Sequence, residues 1–311
     1  MTPVSIVIST RNRREDVIRA VESCLAQEYT SFEVLVYDDA SSDGTADAIS
    51  EHFPEVKLHR SSEHAGYLVW RNHGFRDAIG EFVVSIDDDS YFTDRGTLAQ
   101  LVELFQRFPH AAAIALPYLE PMSGRRSGRI SAASVGTQLR HYIGCAHAVR
   151  RKLVLEIGGY PEELIHQGEE RDLCLRMLER GWQVICGDTP PLVHLYSQVR
   201  DRERLGYYGY RNTLLFNSIH VPHPYLVPRM LADSFLLMSH GARCLSFDRI
   251  IKRISAGWWA AFVFRAERHP VSRRTYRTYR ALPSHGPVYV SREQLPVALK
   301  RSPYSTQRRA A

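Results

Sequence analysis

The chain has 311 residues, 44% hydrophobic and 24% charged, a balance that fits one large α/β domain or a catalytic domain with an appendage and excludes global disorder. Its five cysteines (Cys24, Cys145, Cys174, Cys186 and Cys244) form no CxxC pair, so neither a disulfide framework nor a zinc site is expected, and a reducing, cytoplasmic compartment is. The formal charge of +6 is uneven: residues 265–311 hold 11 Lys/Arg and 2 Asp/Glu, a surplus of +9, so the rest of the chain is slightly acidic.

Val4 to Ser9 is a β-branched apolar run followed by polar Thr10 to Arg14, which reads as a buried strand ending in a loop. Charge follows the apolar run instead of preceding it, so no signal peptide is expected, and no run of about 18 uncharged apolar residues predicts a spanning helix. Val17, Ile18, Val21 and Leu25 recur with a helical period over 15–26. A second apolar strand, 32–37, is closed by Asp38 and Asp39, and a turn at 41–44 leads to a helix over 45–52. A short strand at 56–59, a helix over 67–78 and a strand over 81–86 follow, the last closed by Asp87, Asp88 and Asp89.

Strand, helix, strand, helix implies a mostly parallel sheet with helices on both faces. In such sheets ligands bind beyond the carboxyl ends of the strands. Here those ends carry Thr10 and Arg11, then Asp38 and Asp39, then Asp87 to Asp89, so polar and acidic residues are expected to converge on one rim.

Further on, the pattern predicts helices over 97–108, 151–157 and 169–180, with Gly158–Gly159 and Gly181 as stops, and strands over 111–117, 183–186 and 192–196. Residues 122–131, rich in Gly, Ser and Arg, read as a loop. After about residue 200 the pattern changes to aromatic-rich helical stretches over 207–219, 225–238 and 254–266. Beyond Arg268 no period is visible, and loose structure is expected. The predicted organisation is thus 1–200 as the catalytic domain (1–90 and 91–200 as its halves), 201–268 as a helical extension and 269–311 as a basic tail.

Three adjacent carboxylates repel one another unless a cation neutralises them, and hard oxygen ligands suit Mg²⁺ or Mn²⁺. Asp87 and Asp89 project to the same side of an extended segment and can share that task; a solvated acidic turn is the plainer reading. Asp39 can accept hydrogen bonds from a base or ribose, whereas Asp43 fits a helix cap better. Glu169 and Glu170 open a helix, where the macrodipole favours them, and either can serve as a general base. His194 lies in an apolar run, as a packed core histidine or a ligand.

Together these segments resemble glycosyltransferase family 2, with its GT-A fold. The resemblance rests on Val7 to Arg13, Val36 to Thr45, Arg71-Asn72-His73-Gly74, Gly80-Glu81-Phe82 running into Ile86-Asp87-Asp88-Asp89, Gly158 to Glu163, Gly168 to Leu173 and Val193-His194-Leu195, and covers about residues 3 to 198. It implies an inverting transfer of a sugar from a nucleoside diphosphate donor, UDP or dTDP favoured, to a glycan or lipid-linked acceptor, in building cell-envelope polysaccharide or glycolipid. By position, Thr10, Arg11 and Asp39 would line the base pocket, with Asp39 facing a uracil-type imide. Arg71 would lie near the ribose or diphosphate, and Asp88 beside the donor. Asp89 would bind Mn²⁺ or Mg²⁺, Asp87 would assist, and His194 would complete the site. Glu170 stands where the family often has the Asp of a Glu-Asp pair; this chain has Glu169-Glu170.

Two other classes compete with this reading. A nucleotidyltransferase would carry a glycine-rich loop after its first strand, and residues 9–14 contain no glycine. A non-catalytic nucleotide- or glycan-binding protein would have no need of Asp87, Asp89, Glu170 and His194 together. No nucleic acid is expected as a partner. For the basic tail, contact with the inner face of a membrane and a solvated arm both remain open, as do an interfacial helix and a packed lid for residues 254–268.

Overall fold

The computed structural model describes residues 1–120, 135–195, 201–284 and 288–289. The predicted loop at 122–131 lies outside the described residues, as do most of 285–311. Among the described residues there are twelve strands and ten α-helices. The first half runs β1 (Val4–Thr10), α1 (Arg14–Leu25), β2 (Phe32–Asp38), α2 (Thr45–His52), β3 (Lys57–Arg60), α3 (Tyr67–Asp77), β4 (Phe82–Asp87), β5 (Ser90–Tyr91), α4 (Thr97–Arg107), β6 (Ala111–Ala115) and β7 (Tyr118–Leu119). Then come β8 (Gln138–Leu139), β9 (Ala146–Arg150), α5 (Arg151–Glu156), α6 (Glu169–Glu179), β10 (Gln183–Cys186), β11 (Leu192–His194), α7 (Arg202–His220), α8 (Leu226–Gly241), α9 (Phe247–Val263), α10 (Arg273–Ala281) and β12 (Val288–Tyr289).

The main sheet has the order β3-β2-β1-β4-β9-β6-β10-β8. Strands β3, β2, β1 and β4 are parallel, and β9 is inserted antiparallel between β4 and β6. A smaller sheet, β12-β7-β11-β5, stands beside it. Both faces of the main sheet are covered, which is why β1 and β4 read as continuous apolar runs. Val4, Ile6 and Ile8 point to one side, into a core shared with Val17 and Val21 of α1, Ile49 of α2, and Leu101 and Phe105 of α4. Val7 points to the other, against Leu68 and Phe75 of α3, Leu173 and Met177 of α6, and Leu215 and Ile219 of α7.

The helical extension shares this second core, so the change of pattern near residue 200 marks a change of secondary structure and not a separate core. The loose structure expected after Arg268 is not what residues 273–281 adopt. They form α10 because Tyr276 and Tyr279, one turn apart, bury against Leu175, Phe216 and Val221. Ser272 caps its start by accepting from the Thr275 amide, and the Arg140 guanidinium donates to the carbonyls of Tyr279, Arg280 and Leu282 at its end. Strands β5, β7, β8 and β9 were also unforeseen.

Register sets the site. Thr10 pairs with Asp38, and Ser9 with Asp87, so the ends of β1, β2 and β4 are level at one rim. Helix α3 lies close over β1: a Cβ on Gly74 would come within 2.4 Å of a Val7 methyl. Gly74→Ala is therefore expected to destabilise the fold by about 1–3 kcal/mol through overpacking, seen as a lower urea midpoint with unchanged slope; an unchanged midpoint would show that the α3–β1 contact is loose.

Candidate active site

Asp87 is the last residue of β4, and Asp88 and Asp89 form the turn into β5. The two-residue strand β5 pairs antiparallel with β11, setting Ser90 opposite His194. One ligand atom from each of Asp87, Asp89 and His194 falls within 4.8 Å of the other two. His194 Nε2 lies 3.3 Å from Asp89 Oδ1 and 4.0 Å from Asp87 Oδ2, and its Nδ1 is 3.0 Å from Glu120 Oε1. Glu120, buried just after β7, thus orients the imidazole from behind, as carboxylates commonly do for a ligating histidine. Two hard carboxylate donors and an oriented imidazole fit Mn²⁺ or Mg²⁺. Burial opposes charge on His194, but Cys145, Asp89 and Glu120 around it outweigh burial and raise its pKa.

The middle carboxylate faces the other way. Asp88 accepts from Thr10 Oγ1 at 2.9 Å, and Arg13 Nη1 lies 3.4 Å from Asp88 and 2.7 Å from Asp89. Burial, with the neighbouring Asp89 and Asp87 charges, pushes Asp88 up to about 7 against the pull of Arg13 and Thr10. Asp88 is thus engaged by Thr10 and Arg13, while Asp87 and Asp89 share His194; the turn at Asp88 and Asp89, not the alternation of an extended strand, makes this division. Asp88 binds the β1–α1 loop.

Arg71, buried on α3, is the hub between the two halves of the site. Its Nη2 donates to Asp87 Oδ1 at 2.6 Å and to the Gly144 carbonyl at 3.0 Å, and its Nη1 lies 3.9 Å from Glu169. The Gly144 amide in turn donates to Glu170 Oε1 at 3.1 Å. A Cβ on Gly144 would sit 2.8 Å from that oxygen and 3.1 Å from Arg71 Nη1, so the chain passes between the two side chains only because this residue has none.

The adjacent glutamates are distinct. Glu169 is buried, accepts from the Tyr67 hydroxyl at 2.5 Å and is raised by burial. Glu170 is partly exposed, and burial of its carboxyl plus the charge of Glu169 push it up to about 8. Thus the Glu170 carboxyl is held at the Gly144 amide with its pKa raised, while Glu169 is fixed by Tyr67 and Arg71.

Asp39 stands apart from the cluster. Its oxygens accept from His64 Nδ1 at 2.6 Å, the Ala65 amide at 2.7 Å and the Gly66 amide at 3.0 Å, fastening the loop before α3. Burial would raise Asp39, but the Trp70 indole, the Ala65 amide, His64 and the Gly66 amide bring it below the usual value. Arg11 is exposed at the same rim. Asp43 caps α2, accepting from the Thr45 amide at 3.1 Å.

Sequence reasoning named Asp87, Asp88, Asp89, Arg71, His194, Glu169 and Glu170, which the structure gathers into one connected set. It gave no role to Arg13, Glu120, Tyr67 and Gly144. Arg13 follows an Arg and precedes another, so the triplet hid which one turns inward. Glu120 and Gly144 lie beside short strands without periodic pattern.

Residues 5–158 match the family model described as Glycosyl transferase family 2. Among characterised and uncharacterised relatives, the chain is 34% identical over 94 residues to an uncharacterized glycosyltransferase of Rickettsia felis, a match spanning 29% of this chain and 15% of that protein. It is 25% identical over 222 residues to the glucosyl-dolichyl phosphate glucuronosyltransferase of Haloferax volcanii, covering 63% and 70% of the two chains. In fold it is similar to the mannosyltransferase PcManGT from Pyrobaculum calidifontis, solved in complex with GDP-Man and Mn²⁺, with a TM-score of 0.58, 21% identity and 85% and 87% coverage.

Because Glu120 is the partner that fixes the His194 ring, Glu120→Ala is expected to weaken Mn²⁺ binding by about 10–100-fold. Titration of Mn²⁺ into the variant, with an unchanged melting temperature as the folding control, checks this; undiminished affinity would remove Glu120 from the site.

Proposed function

Since the chain belongs to glycosyltransferase family 2, we propose that it moves a sugar from a nucleoside diphosphate donor to an acceptor hydroxyl, with inversion at the anomeric carbon, in building a cell-envelope polysaccharide or glycolipid. The observation that carries this reading is the short hydrogen-bonded path from the Asp87–Asp89–His194 cluster through Arg71 and Gly144 to Glu170. It would link a cation site to a candidate base, the two things a displacement at an anomeric carbon requires.

Asp87, Asp89 and His194 would hold the Mn²⁺ or Mg²⁺ ion, Asp89 most directly because it is buried. A bound divalent ion supplies Lewis-acid stabilisation to the departing diphosphate. Arg71 and Arg13 add fixed positive charge where negative charge grows, and in a water-poor site such preorganised charge is worth more than in solvent. On the other side Glu170 takes the proton of the acceptor hydroxyl as its oxygen bonds to the anomeric carbon and the bond to the diphosphate breaks. One displacement suffices, so no covalent nucleophile is needed. Glu169, held by Tyr67 and Arg71, keeps the N-terminal turn of α6 in place.

Thr10, Arg11 and Asp39 would take the nucleotide base. Asp39 is already engaged by His64, the Ala65 and Gly66 amides and the Trp70 indole, so it would read an imide by exchanging one of these contacts for the base. Uridine or thymidine is the base favoured by the resemblance. Support for a lipid-linked acceptor comes from the Haloferax volcanii relative.

Calorimetry with UDP and with GDP, each with and without Mn²⁺, tests the donor side. Mn²⁺ is expected to strengthen UDP binding, and Asp89→Ala to abolish the enhancement; equal affinity with and without the metal would remove the cation site from the proposal.

The base is tested separately. Glu170→Gln should leave nucleotide binding intact and lower transfer about 10²–10⁴-fold. A carboxyl raised to about 8 is protonated below that pH and active above it, so wild-type transfer should rise with pH. The positive charge of a bound cation moves that limb below about 8, and Glu170→Gln should lack the limb altogether. Normal transfer by Glu170→Gln alongside loss in Glu169→Gln would assign the base to Glu169.

A further inference from the structure

Helices α8 and α9 are turned outward. A surface helix of a soluble protein normally sets its large apolar side chains against the core. Here the buried positions of α9 include Gly257, Ala260, Ala261 and Arg253, and those of α8 include Asp233. Small residues let α9 approach α7 closely: a Cβ on Gly257 would come within 2.7 Å of Leu214 Cδ1. Met230 and Ile250 reach inward, but most of the other large apolar residues face away. Val227, Leu231 and Phe235, one helical turn apart, are exposed along α8, and Phe247, Ile251, Trp258 and Phe262 along α9, with Leu236, Trp259 and Val263 beside them. Phe247 is 71% exposed, Trp259 66% and Phe235 64%. The Trp258 indole donates to Ser234 Oγ at 3.1 Å, which places the two stripes side by side as one patch. No helix among the described residues is long and apolar enough to cross a membrane.

The charge around the patch selects its occupant. Arg243, Arg249, Lys252 and Arg265 are exposed on or next to these helices, against Asp248 and Glu267. A second copy would bring like charges together, whereas an anionic lipid surface is complementary. Tryptophan and phenylalanine on an apolar face flanked by Lys and Arg match the headgroup boundary of a bilayer.

We propose that the α8–α9 face is a docking surface for an anionic lipid bilayer, entered in-plane by Phe235, Trp258, Trp259 and Phe262. Its position relative to the site gives the docking a purpose. Helix α9 packs on α7, and Asn212 of α7 donates to the carbonyls of Leu164, His166 and Gln167, in the loop that leads to Glu169 and Glu170. The outward-facing helices and the loop before Glu169 and Glu170 are therefore joined through α7. As a means of presenting a lipid-borne acceptor to Glu170 this rests on the transferase reading, but docking itself is measured without catalysis.

The test is co-flotation of the full chain with vesicles of phosphatidylcholine alone and of phosphatidylcholine with phosphatidylglycerol. The wild type is expected to float with the anionic vesicles and at least about tenfold less with neutral ones. Phe235→Ser/Trp259→Ser should lose flotation, Phe235→Leu/Trp259→Phe should keep it, and Arg249→Glu/Lys252→Glu should weaken it on anionic vesicles only. Melting temperature and UDP binding with Mn²⁺ monitor the fold; should the serine variant fail to fold, the charge-reversal variant decides. Absence of wild-type flotation, or flotation indifferent to these substitutions, would overturn the proposal. So would a wild-type dimer that the serine variant converts to monomer without any vesicle binding, which would assign the face to a second copy. Loss of flotation with intact transfer to a soluble acceptor would leave the transferase reading standing, and the reverse would leave the docking standing.

Discussion

Three successive carboxylates at the end of a buried strand repel one another, and the arrangement around them is the set of cations and donors that makes their proximity tolerable. Asp87 has Arg71, Asp88 has Thr10 and Arg13, and Asp89 has Arg13 and His194. Each partner arrives from a different element: α3, the β1–α1 loop and β11. The electrostatic demand of one tripeptide therefore ties the two sheets and a helix to a common point. Removing one cation would leave a buried carboxylate uncompensated, a far larger cost than losing a surface ion pair.

The same demand explains why the carboxylate cluster and Glu170 are linked. Arg71 satisfies Asp87 and, with the same guanidinium, fixes the Gly144 carbonyl; the Gly144 amide then holds Glu170. A planar guanidinium presents several donors in fixed directions, which a lysine could not reproduce. The peptide at Gly144 has its carbonyl on Arg71 and its amide on Glu170, so one rigid unit links the partner of Asp87 to the candidate base.

What could be read in the sequence was what has a period or a charge pattern. The strands at 4–10, 32–38 and 82–87 were visible because both faces of the sheet are buried and their residues are nearly all apolar. The rim followed from the polar residues that end each of them. The strand at 183–186 and the helix over 169–179 followed from period and glycine stops. The two-residue strands β5 and β7 carry no period, yet they place His194 and Glu120, so the orienting carboxylate could not be found from pattern. Neither could α10, whose mean polarity is high; it is ordered by two tyrosines and by Arg140 from far along the chain. Asp39 could be placed at the rim, but its three protein partners depend on the path of residues 64–66, which no local signal fixes.

The loop before α6 shows why the helical extension belongs with the catalytic core. Ile165 has φ 61° and Gln167 φ 72°, followed by Gly168 at φ 97°. A β-branched residue in the left-handed region is a genuine outlier, at a cost of about 1–3 kcal/mol per strained residue. Such strain persists only when the surroundings over-determine the backbone. The surroundings here are the side chain of Asn212, whose amide gathers three carbonyls of this loop, and Arg211, which donates to the Glu163 carbonyl. Both lie on α7, and α7 is held by α9 along its length. The extension thus acts as a brace that keeps a strained turn aimed so that α6 begins with Glu169 at Tyr67 and Glu170 at the Gly144 amide. A brace must be rigid on its inner face, which the small and hydrogen-bonded residues of α8 and α9 provide. Apart from Met230 and Ile250, most large apolar residues of these helices are left for the outer face, so the inward bracing and the outward apolar surface are two consequences of one packing choice.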